Sequence, residues 1–329
     1  MDLLMNKKIT VKDIAQICNV SLGTVDRALN NRPGINEDTR RMILETVEKY
    51  GYHKNKQAIS LASGKSKMIG VVVFNLNSEY FSNLIMAIET SVKDAGYTPV
   101  FMFSGIRQDQ ERECVNSLLA MNVDGIIVCS CMHDLLFYHN LRRSGVPVVA
   151  VGNRIDCEIP YVGIDDFAAM YDAAGAIMQK SYTHIVYISP VLEKGSKENI
   201  AAQRDRYQGF CKAVSEHPHI KTTVINRYDD FEQQILDAVK IDPLTTAILC
   251  GGDNYTITCL KLLKNEIKPY GKIGLHGFDH IRTLQDLIPH TASVAYPSDA
   301  IGKAAVELVL SGKNDDIIIE HTLVSGNSI

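Results

Sequence analysis

Cys129-x-Cys131-x-His133 is the spacing that first suggests chemistry, because thiolates and imidazole are the ligands zinc prefers. A closed zinc site needs a second ligand pair, and the chain offers none at matching spacing. The sulfurs lie in an apolar run, where a thiol is an ordinary buried side chain, so no metal is expected. Phosphate cradling needs glycines in series, which let backbone N–H groups close on the anion. The first apolar run carries only Gly70, and Gly251-Gly252-Asp253 lacks the rest of either nucleotide motif. A Gly-x-Ser-x-Gly elbow and a His-Glu-x-x-His pair are also missing. We therefore expect no cofactor, no catalytic residue and no enzyme. Recognition chemistry remains. The residues that could supply it lie near the N-terminus.

The elements that must present those side chains are legible in the first sixty residues. Thr10 is a good N-cap, and Asp13 three residues later gives an aspartate version of the capping box. A helix from Val11 to about Cys18 follows, with Val11, Ile14, Ala15 and Cys18 on one face. A tight turn through Asn19 and Val20 leads to Ser21, a second N-cap. The second helix runs to about Asn30 and buries Val25, Ala28 and Leu29. Asn31-Arg32-Pro33-Gly34 is a turn. Asn36 caps a third helix, which ends near Gly51 and presents Met42, Ile43, Val47 and Tyr50. Three short helices with a tight turn between the first two describe a helix-turn-helix unit, whose second helix would lie in a DNA major groove. A small bundle that binds nothing has the same pattern. Charge leans toward DNA: residues 1–67 carry a net +5 and the remainder a net −9.

Ile9-Thr10-Val11-Lys12-Asp13-Ile14-Ala15 and Val20-Ser21-Leu22-Gly23-Thr24-Val25-Asp26-Arg27-Ala28-Leu29-Asn30 resemble the headpiece of LacI/GalR-type transcriptional regulators. The resemblance implies that Thr10, Ser21, Thr24 and Asn30 contact phosphate and that Leu22, Gly23 and Arg27 face the bases, where Arg27 suits two bonds to guanine, Leu22 offers only apolar contact such as to a thymine methyl, and Gly23 leaves space or a backbone approach. Asp26 stands where the family usually has serine. A carboxylate beside phosphates must either read a cytosine amino group or orient a neighbouring cation. Residues 54–67 resemble the family's hinge helix through Asn55, Ala58, Leu61 and Gly64, with Lys54 and Ile59 replacing the usual proline and arginine. The resemblance implies that this segment folds on the operator and that Leu61 wedges into a minor-groove base step.

From Met68 onward, short β-rich runs alternate with helical stretches. Strands are expected at 69–74, 98–103, 125–130, 146–151, 162–164, 185–189, 222–226, 247–250, 272–278 and 293–295. Helices are expected at 79–95, 108–121, 167–180, 201–215, 255–265 and 299–310. Such alternation means parallel sheets covered by helices, and about 260 residues suit two doubly wound lobes. Hydrophobic residues make up 46% of the 329, enough for a large core. No apolar run reaches the ~20 residues of a membrane span. The N-terminus shows no apolar leader, and the eight cysteines read as buried thiols, so a cytoplasmic protein is expected.

Val123-Asp124-Gly125-Ile126-Ile127, Arg206-Tyr207-Gln208-Gly209-Phe210 and Gly277-Phe278-Asp279 resemble the periplasmic-binding-protein-like effector domain of the same family. The fold so implied is a small all-α helix-turn-helix headpiece (1–53), a hinge (54–67) and an α/β body (68–329). Lobe 1 would take 68–164 and 293–329, and lobe 2 would take 165–292. Effector contacts are implied at Tyr80, Phe81, Gly152, Asn153, Arg206, Asp253, Asp279 and Tyr296, all at strand ends in the cleft. The expected function is an effector-controlled, operator-binding regulator, a repressor acting as a homodimer, with a sugar or sugar derivative as effector. A purine or phosphorylated metabolite stays open as the effector. A small-molecule-binding or sugar-modifying protein with a vestigial head is the reading from another class.

Overall fold

A computed structural model describes residues 9–53, 64–74, 76–155, 157–192, 199–227, 229–287 and 290–329. The chain divides into two compact units, 1–66 and 67–329.

In the first unit, helices α1 (Val11–Ile17), α2 (Leu22–Leu29) and α3 (Glu37–Lys49) form where the caps require. Thr10 and Asp13 make the reciprocal box: Asp13 Oδ2 accepts from Thr10 N at 2.8 Å and from its hydroxyl at 2.6 Å. Asn19 turns the chain between α1 and α2 at φ 51°, a left-handed conformation that asparagine tolerates better than most residues. Ile14, Ala15, Cys18, Val25, Ala28 and Ile43 form the core, with Val47 packed against it. Met42 and Tyr50, expected on the buried face of α3, are instead 40% and 41% exposed. Met42 lies one position off the stripe of Ile43 and Val47, and Tyr50 is the C-cap residue beyond the last helical position.

The second unit holds two six-stranded sheets. The strands are β1 (Met68–Val73), β2 (Thr98–Phe103), β3 (Gly125–Val128), β4 (Val148–Val151), β5 (Tyr161–Gly163), β6 (His184–Ile188), β7 (Lys221–Ile225), β8 (Thr246–Cys250), β9 (Gly274–Asp279), β10 (Ala292–Ala295), β11 (Ile317–Ile318) and β12 (Thr322–Val324). Between them run α4 (Glu79–Asp94), α5 (Gln108–Ala120), α6 (Leu135–Arg143), α7 (Asp166–Met178), α8 (Ala201–Ser215), α9 (Phe231–Lys240), α10 (Asp253–Leu262), α11 (Arg282–Leu287) and α12 (Ser298–Ser311). The first sheet has the order β11-β5-β4-β3-β1-β2 and is parallel throughout. The second has the order β12-β10-β9-β8-β6-β7, parallel except for the antiparallel β10–β12 pair. Buried Val, Ile, Ala and Leu dominate the inner strands, as a sheet covered on both faces demands. In the second lobe α7 and α8 lie close enough that a Cβ on Gly209 would stand 2.2 Å from Phe167 O.

The chain crosses between lobes three times: after β5, after β10 and after β11. The expected return to lobe 1 at residue 293 is therefore corrected. Residues 292–295 form β10 in the second sheet, and only α12 and β11 belong to the first lobe before β12 rejoins the second. Five elements lie outside the expected set: α6, α9, α11, β11 and β12.

Candidate functional site

Two sets of side chains carry recognition chemistry. In the headpiece, Ser21, Leu22, Gly23, Arg27 and Asn30 are exposed along α2 and its caps, with Thr24 and Asp26 half-buried beside them. Thr10 is exposed at the start of α1. Ser21 accepts from Thr24 N at 3.1 Å, and the two hydroxyls lie 2.9 Å apart. A Cβ on Gly23 would meet nothing nearer than Ser21 Oγ at 3.7 Å, so internal contacts do not demand a glycine there. Asp26 orients neighbours rather than pointing alone into solvent: its oxygens accept from Asn30 Nδ2 at 2.6 Å and Arg32 Nη1 at 3.0 Å. The hinge residues Asn55, Ala58 and Leu61 lie outside the described residues.

In the body, a cavity of about 370 Å³ opens between the carboxyl ends of the two sheets, the crevice where doubly wound folds bind ligands. Tyr80, Phe81, Gly152, Asn153, Arg206, Asp253 and Asp279 line it. Tyr296 stands behind the wall, with its ring edge-on to Tyr80 at 4.4 Å between centroids. Phe74, Tyr80 and Phe81 make the apolar wall, with Phe81 4.8 Å from Phe74 and 4.7 Å from Tyr80. Gly152 has φ 74°, and a Cβ there would lie 2.9 Å from Cys129 Sγ. Only glycine suits this position, so a side chain is excluded by the backbone and by the thiol beneath it.

Arg206 projects from α8 into the floor of the cavity. Its Nε donates to Asp166 Oδ1 at 2.7 Å, its Nη1 donates to Gly251 O at 2.7 Å, and Asp279 Oδ1 stands 3.8 Å away. The Phe278 ring lies against the guanidinium at 3.7 Å. Burial alone would loosen the proton on Arg206, but the Asp166 and Asp279 charges outweigh it and strengthen the hold. Burial pushes the carboxyls of Asp166 and Asp279 up, with Arg206 opposing in both cases. Asp253 is pushed up by burial and then by the Asp279 charge, against backbone donors that favour the anion. Those donors are Phe278 N at 2.9 Å and Ile281 N at 3.0 Å, so Asp253 organises the loop after β9 as well as lining the cavity.

Asn153 is engaged by protein on both sides. Its Nδ2 donates to Ser130 O and Asn199 O, each at 3.0 Å, and its Oδ1 accepts from Ala202 N at 3.2 Å. Asn199 N in turn donates to Cys131 O at 2.8 Å, and Asn199 Nδ2 to Arg154 O at 2.8 Å. This cluster straps the start of α8 in one lobe to strand ends of the other. A second strap runs from Glu79, whose carboxylate accepts from Arg282 N at 2.7 Å and from the Thr283 hydroxyl at 2.5 Å.

Sequence reasoning missed Asp166, Glu79, Asn199 and Gln203. Gln203 faces the cavity with its Nε2 on Gly251 O at 3.2 Å, and its Oε1 is buried without a hydrogen-bond partner. Asp279 Oδ1 is in the same condition. Glu111 was also missed. Fully buried, it accepts from Ser130 Oγ at 2.7 Å, Cys131 N at 2.8 Å and Cys131 Sγ at 3.1 Å, and from the Tyr138 hydroxyl. These bonds fix the loop that carries Cys131 to the cavity wall. Burial, and next the Glu111 charge, push the Cys131 thiol up to about 12. Among the described residues, no group of three His, Cys, Asp or Glu side chains is arranged to hold a metal.

A helix-turn-helix unit followed by a two-lobed, cleft-bearing α/β body defines a DNA-binding regulator with a ligand-binding domain. Residues 66–325 match the model for periplasmic binding proteins and the sugar binding domain of the LacI family, and residues 10–55 match that for bacterial regulatory proteins of the lacI family. The chain belongs to the LacI family of DNA-binding transcriptional regulators. It is 27% identical over 317 residues to the catabolite control protein A of Priestia megaterium, covering 94% of each chain. It is also 27% identical over 341 residues to the HTH-type transcriptional regulator IdnR of Escherichia coli K12, covering 99% of this chain and 100% of the other. Its fold is shared with the lac repressor dimer bound to operator and the anti-inducer ONPF, at a TM-score of 0.80, 18% identity and coverage of 98% and 99%. Among the described residues, no helix is long and apolar enough to cross a membrane.

Proposed function

We propose that this regulator is a cytoplasmic repressor acting as a homodimer, without enzymatic activity, and that its effector is an uncharged, hydroxyl-rich molecule such as a sugar or a neutral sugar derivative. The charge balance of the cleft carries the proposal. Its charged lining residues are Arg206, Asp253 and Asp279. The guanidinium is already matched by Asp166 and Asp279, and among the described residues no other lining side chain offers a cation to a phosphate or carboxylate. The buried acceptors Gln203 Oε1 and Asp279 Oδ1 call for hydrogen-bond donors, which hydroxyl groups supply. The aromatic wall of Phe74, Tyr80 and Phe81 suits the apolar face of a sugar ring.

In this reading, ligand contacts shift the balance between two arrangements of the lobes. The change reaches the hinge segment and alters how readily paired headpieces engage a two-fold operator. A strong switch needs a ligand preference of ~5.5 kcal/mol for one arrangement, so contacts made by both lobes at once matter most. A thermal-shift screen tests the ligand class. A neutral sugar or polyol at 100 times its dissociation constant should stabilise the body by about 2.7 kcal/mol. Stabilisation confined to phosphorylated or carboxylated compounds would overturn the proposal.

A further inference from the structure

Helix α2 carries one carboxylate, Asp26, beside the exposed side chains of the recognition face. Next to phosphates such a group is repulsive unless a cation neutralises it. Arg32 supplies that cation: its Nη1 lies 3.0 Å from Asp26 Oδ2, while Asn30 Nδ2 holds the other oxygen at 2.6 Å. The backbone of Arg32 is fixed from two directions. Its N–H donates to Arg27 O at 2.9 Å, and its carbonyl accepts from Arg40 Nη2 at 2.9 Å. Arg40 also holds the neighbouring Asn31 Oδ1 at 2.8 Å and is itself only 13% exposed, so the anchor is part of the headpiece interior. The Arg32 side chain is 64% exposed. An ion pair that open adds little to stability, about 0–1 kcal/mol in general. The anchoring therefore serves to aim a cation rather than to hold the fold.

We propose that Arg32 is a DNA-phosphate contact and that Asp26 is its positioning residue. Arg32 follows the C-terminal end of α2, which lies toward the DNA backbone when the N-terminal residues face the base edges. One guanidinium edge rests on Asp26, and the exposed edge presents further N–H donors to a phosphate. The carboxylate in the usual serine position thus acts on a phosphate indirectly, through the arginine it orients. The inference rests on the DNA-binding role of the headpiece.

The test uses the full-length protein and duplexes it selects from a random-sequence library. Anisotropy titrations across roughly 50–200 mM salt compare the wild type with Arg32→Ala, Arg32→Lys, Asp26→Ser and the Asp26→Ser/Arg32→Ala double variant. Arg32→Ala should weaken binding by about tenfold or more. It should also lower the slope of log affinity against log salt by about 0.9 per subunit. Arg32→Lys should restore the slope, a readout that a purely structural role would not move. The double variant should bind better than Arg32→Ala alone, because the unpaired carboxylate is gone. An unchanged slope in folded Arg32→Ala, or strictly additive losses in the double variant, would overturn the proposal. A wild type that selects no sequence would overturn the DNA-binding role along with it.

Discussion

Arg206 stays charged in a fully enclosed position because Asp166 bonds it directly and Asp279, at the end of β9 in the same lobe, stands 3.8 Å from it. The two carboxylates have different duties. Asp166 makes the 2.7 Å bond that satisfies the guanidinium, whereas Asp279 leaves one oxygen without a hydrogen-bond partner. Asp279→Asn should therefore cost the body little stability and reduce effector affinity by about 10–100-fold, the worth of a hydrogen bond to a charged group. Calorimetric titration beside a melting curve checks both halves. In the headpiece, Gly23→Ala should raise helix stability by roughly 0.5–1 kcal/mol, because a Cβ there meets no close neighbour. The same change should alter operator preference, read by repeating the selection from random duplexes. At this scale the sequence revealed groups with a characteristic neighbour string, such as Arg206 before Gly209-Phe210. It hid Asp166 and Gln203, whose importance comes from contacts across the fold. It gave no sign that the Asn153 amide, on the cavity wall, also straps the lobes together.

Elements with local signals were the legible ones. Thr10, Ser21 and Asn36 each cap a helix through a bond to a backbone N–H within three residues, so α1 to α3 could be drawn from spacing alone. Strands β11 and β12 have two and three residues, and only their partners β5 and β10 define them. The same holds for the last crossover, which no local pattern marks. The straps are also element-scale features. Glu79 in the first turn of α4 accepts from the N-terminal N–H groups of α11, an arrangement the helix dipole favours. Burial raises the Glu79 carboxyl, and the bonds from Thr283 and Arg282 outweigh it, leaving a net lowering. A lowered carboxylate contributes stability above its unfolded value of about 4.3 and loses it as pH falls through the native value. This strap should hold across neutral and mildly acidic pH and release only below that range. Glu79→Ala should open the cleft, seen as a larger radius of gyration in X-ray scattering of the ligand-free protein. An unchanged scattering profile would show that Asn153 and Asn199 close the lobes without it.

For the whole molecule, the cleft brings several buried acids together, and their titration reaches overall stability. Asp166, Asp253 and Asp279 are all raised, chiefly by burial. At these three groups the folded body therefore binds more protons than the unfolded chain above about pH 4, and their contribution to stability falls as pH rises, while His184, His276 and His280, lowered by burial, act in the opposite direction up to about pH 6.5. Melting temperatures taken from about pH 6.5 to 8, above the titration of the histidines, should decline, and Asp279→Asn should flatten the decline. A flat wild-type profile would mean that these carboxylates ionise freely. On the proposed function the basic headpiece and acidic body divide the work, one meeting a polyanion and the other sensing a neutral molecule. The most direct test joins the two halves: operator affinity of the full-length protein, measured with and without each compound of a matched panel of neutral sugars and their phosphates. At least one neutral compound should shift affinity by about fivefold or more, the lower end of ordinary allosteric coupling, while its phosphate does not. A shift produced only by the phosphates would contradict that expectation.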